Sequence, residues 1–110
     1  MSDLALDTNA VTALQRDDPA ALAIVRNTST WILPVPVLGE LYFGAFNSGR
    51  PAQNLHSLEQ FISTCAIATV DADVCRIYGR LRVALRKDGS PIPQNDVWIA
   101  AVCLTLGVPL

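Results

Sequence analysis

The sequence is poor in the residues on which several kinds of functional site depend. It has one histidine and three cysteines among 110 residues, and no CxxC pair. His56 therefore has no nearby partner for a zinc centre, which argues against one. Only eight residues are basic and the formal net charge is −2, so a globally basic surface for nucleic acid is excluded. Local basic patches or a metal ion would have to supply the attraction.

No apolar run approaches the roughly 20 residues that a membrane span requires. Asp3 stands where a secretory signal would carry basic residues. The chain is instead rich in interior residues, with 51% hydrophobic and 16% charged side chains. We therefore expect one domain over residues 1–110, located in the cytoplasm. Cys65, Cys75 and Cys103 all lie in apolar stretches, which predicts buried thiols.

Short apolar strands alternate with helices along the sequence. The predicted strands are "LAL" (4–6), "TWILPVPV" (30–37), "AIATV" (66–70) and "VPL" (108–110). Predicted helices fill the segments between them, and Thr8 and Asn9 offer side chains that could cap the first helix. The longest helix is "DADVCRIYGRLRVALRKDG" (71–89). This alternation predicts an α/β fold with a parallel sheet and right-handed crossovers.

Three carboxylates from distant parts of the sequence are predicted to meet at one edge of this sheet. Asp7 follows the first strand directly. Glu40 lies four residues after Pro36, in the predicted first turn of the helix that leaves the second strand. Asp96 opens the last helix, which must begin over the same edge to return the chain to a parallel strand. Ligands bind at the carboxyl ends of such strands, so this edge is a candidate site.

Each acid also has a structural explanation. Asp7 could cap a helix, and the helix macrodipole favours Glu40 and Asp96 near helix N-termini. Together they favour a cation, because "LGELYFGAF" and "PQNDVWIAA" are apolar surroundings in which clustered carboxylates need neutralisation. Oxygen ligands without histidine or cysteine favour Mg²⁺ or Mn²⁺. Such an ion activates water and stabilises charge on a phosphoryl group, as nucleases and phosphatases require.

Four segments resemble the PIN-domain ribonucleases, and specifically the VapC-like toxins of bacterial toxin–antitoxin modules. They are "LALDTNAVTAL", "VPVLGELYFGAFNSGRPAQNL", "YGRLRVALRKDGSPIPQND" and "VWIAAVCLTLGV", in the family order. The resemblance implies a three-layer α/β/α sandwich, a Mg²⁺- or Mn²⁺-dependent endoribonuclease, and a cognate antitoxin that inhibits it. It implies catalytic and metal-binding roles for Asp7, Glu40 and Asp96, with Thr8 and Asn95 supporting the site.

The sequence departs from the family after "GVPL". Family members usually continue into a segment similar to "VTxDxxF", which carries a fourth acidic or polar group, and then into a last short strand. The sequence up to Leu110 contains neither. We therefore expect an incomplete C-terminal strand region and a metal site with one group fewer. This departure favours an alternative function, that of a catalytically inactive PIN-like module that only binds an antitoxin or RNA.

A phosphotransfer domain is a further alternative. An aspartate also ends the first strand of haloacid-dehalogenase-type phosphatases and of receiver domains. The former have a second aspartate two residues later, where this chain has Asn9. The latter need paired acids and a lysine late in the sheet, and neither is evident.

Two surfaces of the predicted helices suggest contacts with partners. Arg76, Arg80 and Lys87 share one stripe of the longest helix, which is either a solvated face or a groove for RNA phosphates. The segment "ELYFGAFNSG" holds three aromatic residues, more than one side of a short helix can bury. This predicts a contact with a second copy of the chain or with the antitoxin.

Overall fold

The computed structural model describes residues 2–26, 28–89 and 92–108. Within these ranges the chain forms three strands and six helices. The strands are β1 (Ser2–Ala5), β2 (Thr28–Pro34) and β3 (Ala66–Ala68). The helices are α1 (Thr8–Gln15), α2 (Pro19–Val25), α3 (Val35–Phe46), α4 (Pro51–Ile62), α5 (Ala72–Lys87) and α6 (Gln94–Leu106).

The strands form one parallel sheet in the order β1-β2-β3. Ala5 lies opposite Ile32, and Pro34 lies opposite Ala68. Leu6 continues the ladder beyond β1, because its N–H donates to the Ile32 carbonyl at 2.9 Å. The carboxyl ends of all three strands therefore lie at one edge, and α1, α3 and α5 leave the sheet from that edge.

Helices cover both faces of this sheet. Ile32 and Leu33 are consecutive residues of β2, so their side chains point to opposite faces, and both are buried. The main hydrophobic cluster joins β1 and β2 to side chains from α1, α2, α3, α4 and α6. Strands that are buried on both faces are typical of parallel sheets in α/β proteins. The predicted α/β fold, with a parallel sheet flanked by helices, is confirmed.

Helix α6 contributes to two hydrophobic clusters. Ile99 and Cys103 belong to the main cluster, whereas Ala101 and Val102 pack with α5 in a second cluster. Buried side chains thus occur on several sides of this helix, as expected of a helix that is apolar nearly all round.

The junction between β2 and α3 differs from the prediction. The sequence pattern predicts a strand that Pro34 and Pro36 bring to a close and a helix from Val37, but the strand ends at Pro34 and α3 begins at Val35. Pro36 occupies the second helical position, where its fixed φ suits a helix and its missing N–H has no intrahelical partner to lose. Glu40 is therefore the sixth residue of α3 and lies in the second turn, so its predicted position in the first turn is wrong.

The cysteines do not share one environment. Cys103 is buried, Cys65 is half-buried, and Cys75 is exposed on α5. Burial raises the pKa of the Cys103 and Cys65 thiols. The prediction of buried thiols is wrong for Cys75, because α5 is a surface helix whose outward positions follow its own periodicity.

The predicted C-terminal strand "VPL" falls largely on residues 109–110, which lie outside the described residues. Val108 is described and belongs to no strand. In the described part of the chain, no helix has both the length and the apolar composition needed to cross a membrane.

Candidate active site

Asp7 caps helix α1 at the carboxyl edge of the sheet. Its Oδ1 atom accepts the backbone N–H of Ala10 at 2.7 Å, and its own backbone is extended. The expectation that Asp7 could cap a helix is thus confirmed, whereas Thr8 and Asn9, the other residues predicted for this role, lie inside α1. The capping bond uses one of the two carboxylate oxygens. Asp7 is half-buried, so part of the residue remains accessible to solvent.

A side-chain hydrogen bond joins the first and second strand ends. The Thr8 hydroxyl donates to Oε1 of Glu40 at 2.9 Å, across 32 positions of sequence. Thr8 is the first residue of α1, directly after Asp7. The bond therefore brings the Glu40 carboxylate to the residue next to the Asp7 carboxylate.

Glu40 is not explained by the dipole of its helix. The macrodipole acts within about the first turn of a helix, and no acidic residue lies in the first turn of α3. Glu40 is also exposed, so the apolar neighbours in its sequence do not desolvate it, contrary to the expectation from "LGELYFGAF". Its orientation toward Thr8 is the structural feature that calls for a functional explanation.

Asp96 lies in the first turn of α6, as its third residue. It is exposed, whereas its neighbour Asn95 is half-buried. The helix begins after Pro93 without a side-chain cap, so a carboxylate in this turn is favoured by the helix dipole alone. Helix α3, which carries Glu40, packs against both α1 and α6. Asp96 is thus on a neighbouring element, and the described contacts do not bond it to Asp7 or Glu40.

The donor set at this edge fits Mg²⁺ or Mn²⁺. Among the described residues, no three His, Cys, Asp or Glu side chains are grouped closely enough to form a complete metal cage. Mg²⁺ does not need one, because proteins usually bind it through one or two carboxylates while it keeps several waters. Two carboxylates are available at this edge: that of Asp7, and that of Glu40, which accepts the hydroxyl proton of the residue after Asp7. All the available ligands are oxygen atoms, which hard cations prefer.

The predicted basic stripe of α5 is exposed along its length. Arg76, Arg80 and Lys87 are all accessible to solvent. The neighbouring Arg82 is used differently, because its guanidinium donates to the Tyr78 hydroxyl at 3.2 Å and lies 5.8 Å from the centre of that ring. The stripe therefore keeps three cations available for an anionic partner.

The aromatic residues of α3 separate into one packed and two exposed side chains. Tyr42 is half-buried, and its hydroxyl donates to Oε2 of Glu59 on α4 at 3.3 Å. Partial burial, together with the nearby Glu59 charge, raises the pKa of the Tyr42 phenol. Phe43 and Phe46 are 71% and 62% exposed, so they form the unburied part of this surface.

A cleft that the sequence does not predict opens beside Glu40. It has a volume of about 470 Å³ and lies between α1, α3 and α4. Its walls include Thr8 and Glu40 themselves, together with hydroxyl, amide and guanidinium groups from the three helices. No sequence motif marks it, because its lining residues come from three separate helices whose relative packing the sequence pattern does not specify.

The sequence matches the PIN domain family over residues 4–110. It is 30% identical over 112 aligned positions to Ribonuclease VapC1 of Haemophilus influenzae strain R2866, covering 96% of this chain and 81% of that protein. It is 29% identical to the tRNA(fMet)-specific endonuclease VapC of Shigella flexneri, covering 94% of this chain and 80% of that protein.

Solved structures of similar proteins share the fold. A VapBC2 complex from Rickettsia felis, bound to a DNA fragment from its promoter, contains a chain with a TM-score of 0.85 and 29% identity. That match covers 96% of this chain and 83% of the other. VapBC-1 from nontypeable Haemophilus influenzae matches with a TM-score of 0.84 and 28% identity, covering 96% and 82%. The family match and these likenesses together show that this chain belongs to the PIN domain family.

Proposed function

We propose that this protein is an endoribonuclease toxin of a toxin–antitoxin pair and depends on Mg²⁺ or Mn²⁺. Its relatives are named as VapC ribonucleases, and its structural neighbours come from VapBC complexes. The single structural observation that carries the proposal is the hydrogen bond from Thr8 to Glu40. It holds the Glu40 carboxylate at Thr8, the residue that follows Asp7 in the chain.

In this proposal Asp7, Glu40 and Asp96 are the catalytic carboxylates and hold the metal ion. A Mg²⁺ or Mn²⁺ ion held there would supply an activated water and would stabilise charge on the phosphoryl oxygens of RNA. Thr8 orients Glu40 through its hydroxyl proton, so that Oε2 of the carboxylate remains available. Asn95 supports the site from the position before Asp96. The helix cap made by Asp7 fixes its side chain, which limits the rearrangement needed to bind the ion.

We propose that the exposed stripe of Arg76, Arg80 and Lys87 contacts phosphates of the RNA substrate. With a net charge of −2, attraction to RNA depends on a local cluster of cations or on a bound metal ion. Phosphate contacts of this kind position a strand without reading its sequence. The stripe would therefore increase affinity for RNA in general.

We propose a cognate antitoxin protein and a second copy of the chain as protein partners. The solved relatives are complexes of toxin with antitoxin, which supports the first. The exposed rings of Phe43 and Phe46 support a protein contact on α3, since exposed apolar patches tend to mark interfaces.

A second candidate function is a PIN-like module that binds an antitoxin or RNA without cleaving. It is favoured by the lack of a closed group of three metal-binding side chains among the described residues. Cleavage of RNA by the purified chain that is lost with EDTA and restored by Mn²⁺ would reject this candidate.

Replacing Asp7 with Asn tests the catalytic assignment. Asparagine is as good a helix cap as aspartate, so we expect unchanged thermal stability with loss of metal-dependent RNA cleavage. Asp7→Ala should lose cleavage as well, and in addition about 1 kcal/mol of stability through loss of the cap. Cleavage is followed with a labelled RNA in Mn²⁺, and stability by thermal unfolding. Wild-type activity in Asp7→Asn would refute the role of this carboxylate.

A further inference from the structure

Tyr78 of α5 and Trp98 of α6 form the closest aromatic pair among the described residues. Their ring centres are 3.6 Å apart and their planes differ by 11°, whereas the other described pairs have centres 5.8 and 6.3 Å apart. Trp98 follows Asp96 by two positions in α6. We propose that this stack sets the rotation of α6 about its own axis and thereby places Asp96 at the carboxyl edge of the sheet. The inference rests on the proposed function, in which Asp96 helps to hold the metal ion.

The sequence of α6 does not define which side of the helix faces the sheet. Buried residues occur on several of its sides, and its solvent side carries the apolar residues Ala100 and Leu104, the latter 60% exposed. A different rotation would therefore also bury apolar surface. Within the described part of the chain, the side-chain hydrogen bond of α6 joins Thr105 to the Ala101 carbonyl of the same helix, so such bonds do not orient α6. A specific packing contact is needed to select the rotation.

The stack lies nearly opposite Asp96 across the helix. Successive residues are about 100° apart around an α-helix, so Trp98 lies about 160° from Asp96. Ile99 and Cys103 lie within about 60° of Asp96 by the same count. Both belong to the main hydrophobic cluster, which includes side chains of β1, β2 and α3. When Trp98 is held against α5, Asp96 is therefore on the side of α6 that faces the strands and the helix of Glu40.

Tyr78 is itself held in place on α5. The guanidinium of Arg82, one turn further along α5, donates to the Tyr78 hydroxyl at 3.2 Å and lies 5.8 Å from the centre of the ring. Both rings of the stack are half-buried against the second hydrophobic cluster, which contains Val74 and Val102. Aromatic pairs contribute energy beyond the area that they bury and have preferred geometries, so this contact favours one orientation of Trp98. Tyr78 and Trp98 are thus positioning residues and not metal ligands.

The first experiment measures the rotation of α6 by thiol labelling of the full chain without metal. Cys103 is buried on the same side of α6 as Asp96, so a rotated helix would bring its thiol toward solvent. Trp98→Leu keeps an apolar side chain and removes the ring. We expect iodoacetamide to alkylate Cys103 up to about tenfold faster in this variant, the factor equivalent to one aromatic pair. Trp98→Phe retains a ring and should label nearly as the wild type does, as measured by peptide mass spectrometry.

Trp31→Leu is the matched control, because it removes the same side chain from another aromatic pair. Trp31 lies in β2 and stacks on Phe61 of α4. Its loss should leave the labelling of Cys103 unchanged at a temperature at which thermal unfolding shows both variants to be folded. Cys65 packs against the main cluster and reports general loosening. An unchanged Cys103 rate in Trp98→Leu, or equal acceleration of Cys65 and Cys103, would overturn the proposal.

Tyr78→Leu removes the same stack from α5 and keeps the proposal testable if Trp98→Leu does not fold. We expect the same acceleration of Cys103 labelling in this variant. Tyr78→Phe loses only the hydroxyl and keeps the ring, so it should label as the wild type does. A wild-type rate in Tyr78→Leu would show that the stack does not hold the helix.

Calorimetric titration with Mn²⁺ tests the link to Asp96. We expect Trp98→Leu to lower Mn²⁺ affinity by about tenfold, as loss of an orienting residue does, and Asp96→Asn to lower it as well. The double variant should show no loss beyond that of Asp96→Asn, because the stack acts through this carboxylate. Additive losses would overturn the positioning role of Trp98.

The outcomes for the stack and for the proposed function are distinguishable. Labelling of Cys103 in the absence of metal decides whether the stack sets the rotation of α6. Mn²⁺ affinity that Asp96→Asn leaves unchanged would instead reject Asp96 as a metal-binding group, whatever the labelling shows.

Discussion

The hydroxyl of Thr8 makes the side-chain hydrogen bond with the largest sequence separation among the described residues. It donates to Glu40 across two strand ends, whereas most other side-chain hydrogen bonds of the described residues join positions within about six residues. A side chain that orients a metal-binding carboxylate typically accounts for a factor of about 10–100 in metal affinity or activity. In the proposed site Thr8 is therefore a positioning residue for Glu40 and not a metal ligand.

Thr8→Val tests this role, because valine keeps the shape of the side chain and removes the donor. We expect Mn²⁺ affinity or RNA cleavage to fall by about 10–100-fold, with the fold retained. Calorimetric titration with Mn²⁺ and initial cleavage rates measure the two quantities. Thr105→Val is a suitable control, since its hydroxyl donates to the Ala101 carbonyl within α6, away from the site. Equal losses in both variants would show that the hydroxyl of Thr8 has no special function.

Helix α5 carries the basic stripe, and a single substitution can test whether this stripe binds RNA. Its inward face carries Val74 in the second cluster, and its outward face carries the basic stripe. Every amphipathic surface helix has a charged outer face, so exposure alone does not indicate RNA binding.

Arg80→Ala distinguishes the two interpretations of the stripe. If the stripe contacts RNA phosphates, the slope of log affinity against log salt should decrease by about 0.7. Arg26→Ala, which removes an exposed arginine elsewhere, should not change the slope. A slope that Arg80→Ala leaves unaltered would indicate a solvated face.

The elements were largely predictable from the sequence, but their ends and the site geometry were less so. Alternating apolar strands and amphipathic helices follow from side-chain periodicity, which is local information. The start of α3 was misplaced because Pro34 and Pro36 are compatible both with a strand end and with a first helical turn. The bond between Thr8 and Glu40 depends on the sheet register and on helix packing, which local patterns do not contain.

At the scale of the whole molecule, the described surface carries an apolar patch on α3. Phe43 and Phe46 are mostly exposed, and Val35 on the same helix is 38% exposed. These three side chains lie on the side of α3 away from the core residues Val37 and Leu41. The patch touches the interior packing only through Phe46, whose ring stacks on Tyr42 with the ring centres 6.3 Å apart.

A double variant, Phe43→Lys with Phe46→Lys, should shift the protein toward a monomer in light scattering at high concentration. Because both rings are exposed, we expect a change in stability within about 0.5 kcal/mol. Val83→Lys, at a 54% exposed position on α5, controls for added charge and lost apolar surface. A mass that the double variant leaves unchanged would exclude this patch as the self-association surface.

Helix α6 belongs to both hydrophobic clusters, and this affects how the protein opens locally in solution. Opening this helix would expose the two clusters at once, so neither could persist as an independently folded remnant. The backbone amides of Ile99, Ala101 and Cys103 should accordingly exchange with deuterium only through complete unfolding. They should be the slowest in the chain, with a protection free energy equal to that from denaturant titration. Faster exchange there than in β2 would indicate that α6 detaches on its own.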